Sequence, residues 1–187
     1  MAPELKYSRQ WLIKEVSRGK KKKYIFFWGR ANKNDAELTK SCLSQWWASR
    51  FVVKENKYTS AEHWMMAEKA RLFQDNEMEI KILQASKPAT VKAFGRQVKN
   101  FDETLWKEHR SNIVIEGNFH KFSQNPDLKK FLLNTKKRIL VEASPFDKNW
   151  GIGLEEDHEH AKNPRLWKGE NLLGFALMEV RDRLAEL

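Results

Sequence analysis

Between Thr59 and Asn134 the chain carries five helical patterns in succession, and this run decides its fold class. The clearest extends from Thr59 to Phe73. It is followed by about Glu77–Ala85, then Ala89–Val98 after Pro88, then Glu103–Phe119 behind the cap residue Asp102. Asn125-Pro126 then sets a cap ahead of a proline at the first position of a helix reaching about Asn134. Strand patterns are few and short: Tyr24 to Trp28 ending at Gly29, Phe51–Val53, and Ile139–Val141. Segment 143–170, punctuated by Pro145, Gly151, Gly153, Pro164 and Gly169, reads as a loop that feeds a last helix from Asn171 to about Leu184. With no repeat or linker in view, the expected architecture is a single, mainly α domain of orthogonally packed helices with a few short β-strands. The 59–73 helix is expected at its centre, with the 143–170 loop closing over it.

Charge and ring content narrow the ligand class. The chain has 35 Lys+Arg against 25 Asp+Glu, a formal net charge of +10, together with 8 Trp and 11 Phe. Rings combined with positive charge suit partners that are both planar and anionic, such as nucleotides or nucleic acid, although most rings in any domain are core. Residues 1–23 read as a basic extension ending in Arg18-Gly19-Lys20-Lys21-Lys22-Lys23. This run is expected to be solvated and unpaired, able to touch phosphates or to act as a nuclear address. There is no apolar run of membrane-spanning length and no signal-peptide pattern at Met1-Ala2-Pro3-Glu4-Leu5. An intracellular protein, cytoplasmic or nuclear, is therefore expected, with no membrane partner. A single Cys42 excludes an internal disulfide framework. The five His lack zinc-ligand spacing, so neither metal nor cofactor is expected.

The 59–73 helix holds the most telling geometry. At 100° per residue, Glu62, Met65, Met66, Lys69 and Phe73 share one side, while Glu68 and Arg71 point elsewhere. Glu62 and Lys69 stand two turns apart, roughly 10 Å at 1.5 Å per residue, a spacing that flanks one small ligand. Burial of either group would push it toward its neutral form, which makes a carboxyl a usable acid and a lysine a usable nucleophile. Each has a plain alternative. Thr59-Ser60-Ala61-Glu62 has the spacing of a capping box, in which Glu62 only bonds back to the cap amide. Lys69 could be a snorkelling stem with its head in water.

Weaker signals lie elsewhere. Trp150-Gly151-Ile152-Gly153 sets a ring beside two glycines, either a ligand-approaching turn or a turn anchored by a buried Trp. Asn171 at a helix start, with Gly174 in its first turn, either presents free amides to a phosphate or is an ordinary cap with close packing. Trp106 and Arg110 lie one turn apart on the 103–119 helix, where Arg110 is a candidate phosphate partner. His63 and His109 are read as structural, and Asp157-His158-Glu159-His160 is too thin for a metal site.

These residues, with Tyr58 through Ala70, Phe94-Gly95-Arg96, Leu140 through Ser144, Asp147, Trp167 through Gly174, Leu177-Met178 and Arg181, resemble the NADAR family of YbiA-like N-glycosidases. The resemblance runs in order from about residue 24 to the C-terminus, implying an extension over 1–23 and a NADAR domain over 24–187. It implies a mainly helical fold and cleavage of N-glycosidic bonds between a ribose phosphate or ADP-ribose and an amine. One branch hydrolyses phosphoribosylamino intermediates of riboflavin synthesis, and another removes ADP-ribose from guanine, including guanine in DNA. Residue by residue, it implies Glu62 as the catalytic carboxylate, Lys69 as an active-site lysine and Trp106 and Trp150 as pocket walls. Asn171 and Gly174 are implied near the ligand, and the residue patterns themselves add Arg110, Gly151 and Gly153 as candidate binding positions.

Two departures stand out. Riboflavin-type members carry Asp between the two glycines where this chain has Ile152, so that role is absent or moved to Asp147 or Glu155. The Ser-Asn-aromatic element of the family appears as Ser44-Gln45-Trp46. The first departure, with the basic charge, points to the ADP-ribose branch. The implied partner is an ADP-ribose-containing substrate, ADP-ribosylated DNA above all, bound by a monomer. The riboflavin branch and a non-catalytic, Trp-rich module binding ADP-ribose or nucleic acid are the alternatives.

Overall fold

The computed structural model describes residues 5–29 and 38–187. Among them are seven helices and four short strands: α1 (Arg9–Ser17), β1 (Tyr24–Phe27), β2 (Phe51–Val53), β3 (Asn56–Tyr58), α2 (Ala61–Leu72), α3 (Asn76–Gln84), α4 (Pro88–Gly95), α5 (Glu103–Ser123), α6 (Pro126–Asn134), β4 (Ile139–Glu142) and α7 (Leu172–Ala185). A short 3-10 turn occupies Lys40–Leu43. Contacts gather these residues into two compact units, one formed by the described residues up to Ser44 with Lys130–Leu187, the other by Gln45–Lys129.

The Gln45–Lys129 unit is built around α2. Eight of its twelve residues are buried, because α3, α4 and α5 pack against it on different sides. The sequence sets this up with small residues where neighbours come close. A Cβ on Gly117 of α5 would lie 2.3 Å from Trp64 Cδ1, so glycine there lets the indole lie on α5 and donate Nε1–H to the Ile113 carbonyl at 2.8 Å. Asp102 caps α5 as its type and position predict, its carboxylate accepting from the Leu105 amide at 2.7 Å. β2 and β3 form an antiparallel hairpin with Phe51 opposite Tyr58. Strand β3 escapes the sequence reading because Asn56-Lys57-Tyr58 has too few apolar residues to show a period.

In the other unit β1 and β4 run parallel, in register from Tyr24 opposite Ile139 to Phe27 opposite Glu142, and α7 packs on β4. Leu140, Val141, Leu173, Leu177 and Val180 form the core between them. Segment 143–170 contains no helix or strand, as expected, yet Ile152, Leu154, Ala161 and Trp167 are buried in it.

The N-terminal extension differs from expectation. Residues Arg9–Ser17 form α1, opened by Ser8, whose hydroxyl accepts from the Trp11 amide at 3.0 Å. Tyr7 N–H donates to Glu179, and Arg9 donates to the carbonyls of Pro164 and Trp167 at 2.8 and 2.7 Å. The basic run is not unpaired either. Arg18, Lys20 and Lys22 converge on Glu15 at 3.7, 3.0 and 3.0 Å. The sequence hid this helix because only Leu12 of its nine residues is buried, so it lacks an apolar stripe, and polar anchors hold it instead.

Candidate active site

Glu62 lies in the first turn of α2 and is 3% exposed. The capping-box alternative for it does not form, because the cap is Ser60 rather than Thr59. Ser60 Oγ accepts from the His63 amide at 3.2 Å, which makes Glu62 the second helical residue and His63 the third. The His63 ring is held from two sides: its Nδ1 accepts from the Thr59 amide, one residue before the cap, at 3.2 Å, and its Nε2 donates to the Ile82 carbonyl at 2.9 Å. An amide can only donate, so Nδ1 carries no proton and the ring is neutral. Burial pushes the imidazole pKa below its ordinary value, in the same direction. His63 is thus the structural residue it was read to be.

The backbone around Glu62 is fixed by residues the sequence did not single out for this task. Its amide donates to the Gln45 carbonyl at 3.0 Å. The Gln45 side chain is buried and accepts from Asn118 Nδ2 at 2.7 Å, and that amide also donates to the Val114 carbonyl. The departure Ser44-Gln45-Trp46 therefore keeps a side-chain amide in play. Trp46 lies under the Lys92 ammonium at 4.9 Å. A signal for Asn118 existed: it sits four residues from both Val114 and Phe122 on the buried face of α5.

Lys69 is half-buried two turns along α2. Its ammonium donates to the Gly95 carbonyl at 2.8 Å and lies 4.4 Å from the Phe101 ring centroid and 5.8 Å from that of Trp106. Burial lowers its pKa from the ordinary lysine value. The head is held between two rings rather than waving in solvent, so the snorkelling alternative fails. Trp106 and Arg110 are both partly buried on α5. Arg71, on the other side of α2, pairs with Glu68 and Glu79 and donates to Tyr58.

In the other unit, the Trp150 turn is built by Asp147, whose Oδ1 accepts from the amides of Asn149 and Trp150, both at 2.8 Å. That duty makes Asp147 a turn former. Ile152 is fully buried, its amide donating to the Glu142 carbonyl, so an acid is absent from an apolar position. Gly151 is needed for close packing, since a Cβ there would stand 2.8 Å from the Glu142 carbonyl oxygen, and Gly153 adopts φ +67. Trp28 and the exposed Phe146 form a ring pair at 6.0 Å next to this turn in sequence.

Asn171 differs from the reading of free helix amides. It is fully buried with φ 56, its Oδ1 accepting from the Glu142 amide and its Nδ2 donating to the Leu140 carbonyl, both at 2.9 Å. The amides of Asn171, Leu172 and Leu173 are taken by the carbonyls of Gly151, Asn149 and Trp150. The start of α7 thus clamps the Trp150 turn to β4, and Gly174 permits it, because a Cβ there would lie 2.1 Å from the Leu140 carbonyl oxygen. Among the described residues, no group of three His, Cys, Asp or Glu side chains has metal-site geometry, and no helix is long and apolar enough to cross a membrane.

Comparison with known proteins identifies the frame in which these residues sit. The sequence pattern of the NADAR domain matches residues 26–185. The chain belongs to the NADAR domain family. This NADAR chain is 47% identical over 165 residues to N-glycosidase R617 of Acanthamoeba polyphaga mimivirus, covering 86% of this chain and 95% of that protein. It is 30% identical over 128 residues to N-glycosidase YbiA of Escherichia coli K12, covering 68% and 71% of the two chains. The NMR structure of E. coli YbiA superposes with a TM-score of 0.68 at 26% identity, over 88% of this chain and 87% of that one. The mainly α fold with short strands is therefore the YbiA-like fold. Cleavage of N-glycosyl bonds is the activity that membership supports.

Proposed function

We propose that this NADAR chain is an N-glycosidase that releases ADP-ribose from guanine, with Glu62 as its catalytic carboxylate. The observation that supports this reading is a carboxylate only 3% exposed in the first turn of α2, two turns before the half-buried Lys69. In the proposed step the C1–N bond breaks with its electron pair going to the guanine nitrogen. Positive charge builds on the ribose ring as the bond lengthens, and a nearby carboxylate stabilises that oxocarbenium character. Water oxygen bonds to C1, and the proton it loses passes through the carboxylate to the departing base. Lys69 supports an alternative first step: with burial lowering its pKa, the neutral amine bonds to C1 as the C1–N bond breaks, guanine leaves with that electron pair and the proton the amine loses, the ring opens to an imine, and water hydrolyses the imine to free sugar and lysine.

The other residues take supporting roles. Trp106 and Arg110 offer a ring and a guanidinium for the nucleotide portion. Trp150, Gly151 and Gly153 are candidate substrate-binding positions on a turn that Asn171 and Gly174 hold in place. The Trp28–Phe146 pair supplies an exposed aromatic surface of the kind a base stacks on. The preference for guanine-linked ADP-ribose over the riboflavin intermediate rests on the buried Ile152 and on the charge of +10.

The test is to incubate the protein separately with ADP-ribosylated guanine in DNA, with the same adduct as free nucleotide, and with the phosphoribosylamino-pyrimidine, following base release by chromatography. Release from guanine is expected, with the DNA-linked adduct favoured at low salt and that preference shrinking as salt rises. Cleavage of the pyrimidine intermediate alone would overturn the substrate assignment. Binding without product in every arm would overturn the enzymatic one.

A further inference from the structure

A cleft of about 300 Å³ opens in the unit that contains α1 and α7, remote in sequence from Glu62 and Lys69. Lys6, Lys22, Lys136, Lys137 and Arg181 line it against one carboxylate, Asp182, with Tyr7 and Trp11 forming its apolar wall. Asp182 is already engaged, pairing with Lys6 and accepting from the Tyr7 hydroxyl at 2.7 Å. Lys22 lies over the Trp11 ring at 5.3 Å and pairs with Glu15. Lys136 and Lys137 are exposed, and no ion pair to either occurs among the described residues.

The turn bearing these two lysines is built rather than loose. Thr135 donates its hydroxyl to the Leu132 carbonyl at 2.6 Å, and Lys136 adopts φ 51. Arg181, 5% exposed, reaches from α7 to donate to both Thr135 Oγ1 and the Arg138 carbonyl at 2.9 Å. A buried guanidinium thus braces a turn that presents adjacent like charges to one cleft. An anion bound there would meet both charges at once.

We propose that this cleft is a second binding site, taking the phosphodiester backbone of single-stranded nucleic acid. The cleft has about the volume of one nucleotide, Lys136 and Lys137 offer charge to a phosphate at its rim, and the ring wall accepts a base or sugar face. Neither Glu62 nor Lys69 lines the cleft, and its existence does not depend on which bond the proposed catalytic residues cut.

The experiment measures binding of a fluorescein-labelled thymidine oligonucleotide of about 15 residues to the full chain by anisotropy across a salt series. K136E/K137E changes only two exposed side chains, and K57E/K87E places the same charge change on exposed positions of the other unit. K136E/K137E is expected to weaken binding at least tenfold at about 50 mM salt and to reduce the log–log salt slope by about 1.4, the value for two single-strand phosphate contacts. K57E/K87E is expected to lose less than threefold. A uridine oligonucleotide should bind as tightly as the thymidine one, since nothing in the cleft is argued to read the 2′-hydroxyl. Equal losses from both double variants would reduce the effect to net charge and overturn the site. Binding only to phosphatidylserine vesicles, or no oligonucleotide binding at all, would overturn it as well.

Discussion

Under the proposed role of Glu62, Glu62→Gln separates chemistry from architecture, because Ser60 rather than Glu62 is the N-cap of α2. Glutamine keeps the shape of a side chain that is 3% exposed, and the amide of residue 62 keeps its bond to the Gln45 carbonyl. The cap itself stays, since Ser60 Oγ accepts from the His63 amide. Loss of a negative charge from the first turn of α2 costs about 0.3–1 kcal/mol. Ser60→Ala removes the true cap and costs about 1 kcal/mol, which for a chain of this size lowers Tm by about 2–4 °C. Turnover is expected to respond in the opposite order. Loss of a positioned carboxylate reduces kcat at least about 10²-fold, equivalent to about 2.7 kcal/mol of transition-state stabilisation, while Ser60→Ala stays within a few-fold of wild type. Base release and a thermal melt on both variants are the assay. A Glu62→Gln protein that turns over normally, or one that melts well below Ser60→Ala, would refute the reasoning.

Three further outcomes are expected. Lys69→Ala should lower turnover, and borohydride added during reaction should fix a sugar adduct to the wild-type chain and not to this variant; repeated failure to detect the adduct by mass spectrometry leaves Lys69 as an electrostatic group. His63 has a lowered pKa in the folded state, so below about pH 6.5 the unfolded chain binds the proton first and stability falls with pH at up to about 1.4 kcal/mol per unit, being fully present above that pH. Urea melts from pH 7.5 to 5 should show this slope, and His63→Gln should flatten it. Gly174→Ala drives a Cβ to 2.1 Å from the Leu140 carbonyl oxygen, and displacing β4 or the Asn171 side chain should cost about 3 kcal/mol, a Tm drop of roughly 10 °C; a melt within 2 °C of wild type would show that α7 can slide on β4.

The helices of the Gln45–Lys129 unit were legible because caps and prolines mark their starts in the sequence itself. Asp102 and Pro126 stand where the pattern places them, and α2 to α6 occur in the expected order. Helix α5 runs on to Ser123, beyond the expected Phe119. Helix α1 was not legible, since its order comes from Tyr7 and Arg9 reaching groups more than 150 residues away in the chain.

The same division runs through the site. Helical periodicity alone put Glu62 and Lys69 on one face of one helix, because the 3.6-residue turn fixes that relation wherever the helix lies. Periodicity could not say whether Glu62 caps the helix. One residue of difference in the N-cap position decided it, and the His63 ring that follows the cap bonds the Ile82 carbonyl, nineteen residues onward. Nor could local sequence reveal that the Asn171 side chain bonds the edge of β4, or that Gln45 holds the Glu62 amide. Local patterns record the geometry of a residue with its near neighbours. The partner of a buried polar group is set by the need to satisfy it once distant segments have packed, and only the tertiary structure supplies that partner.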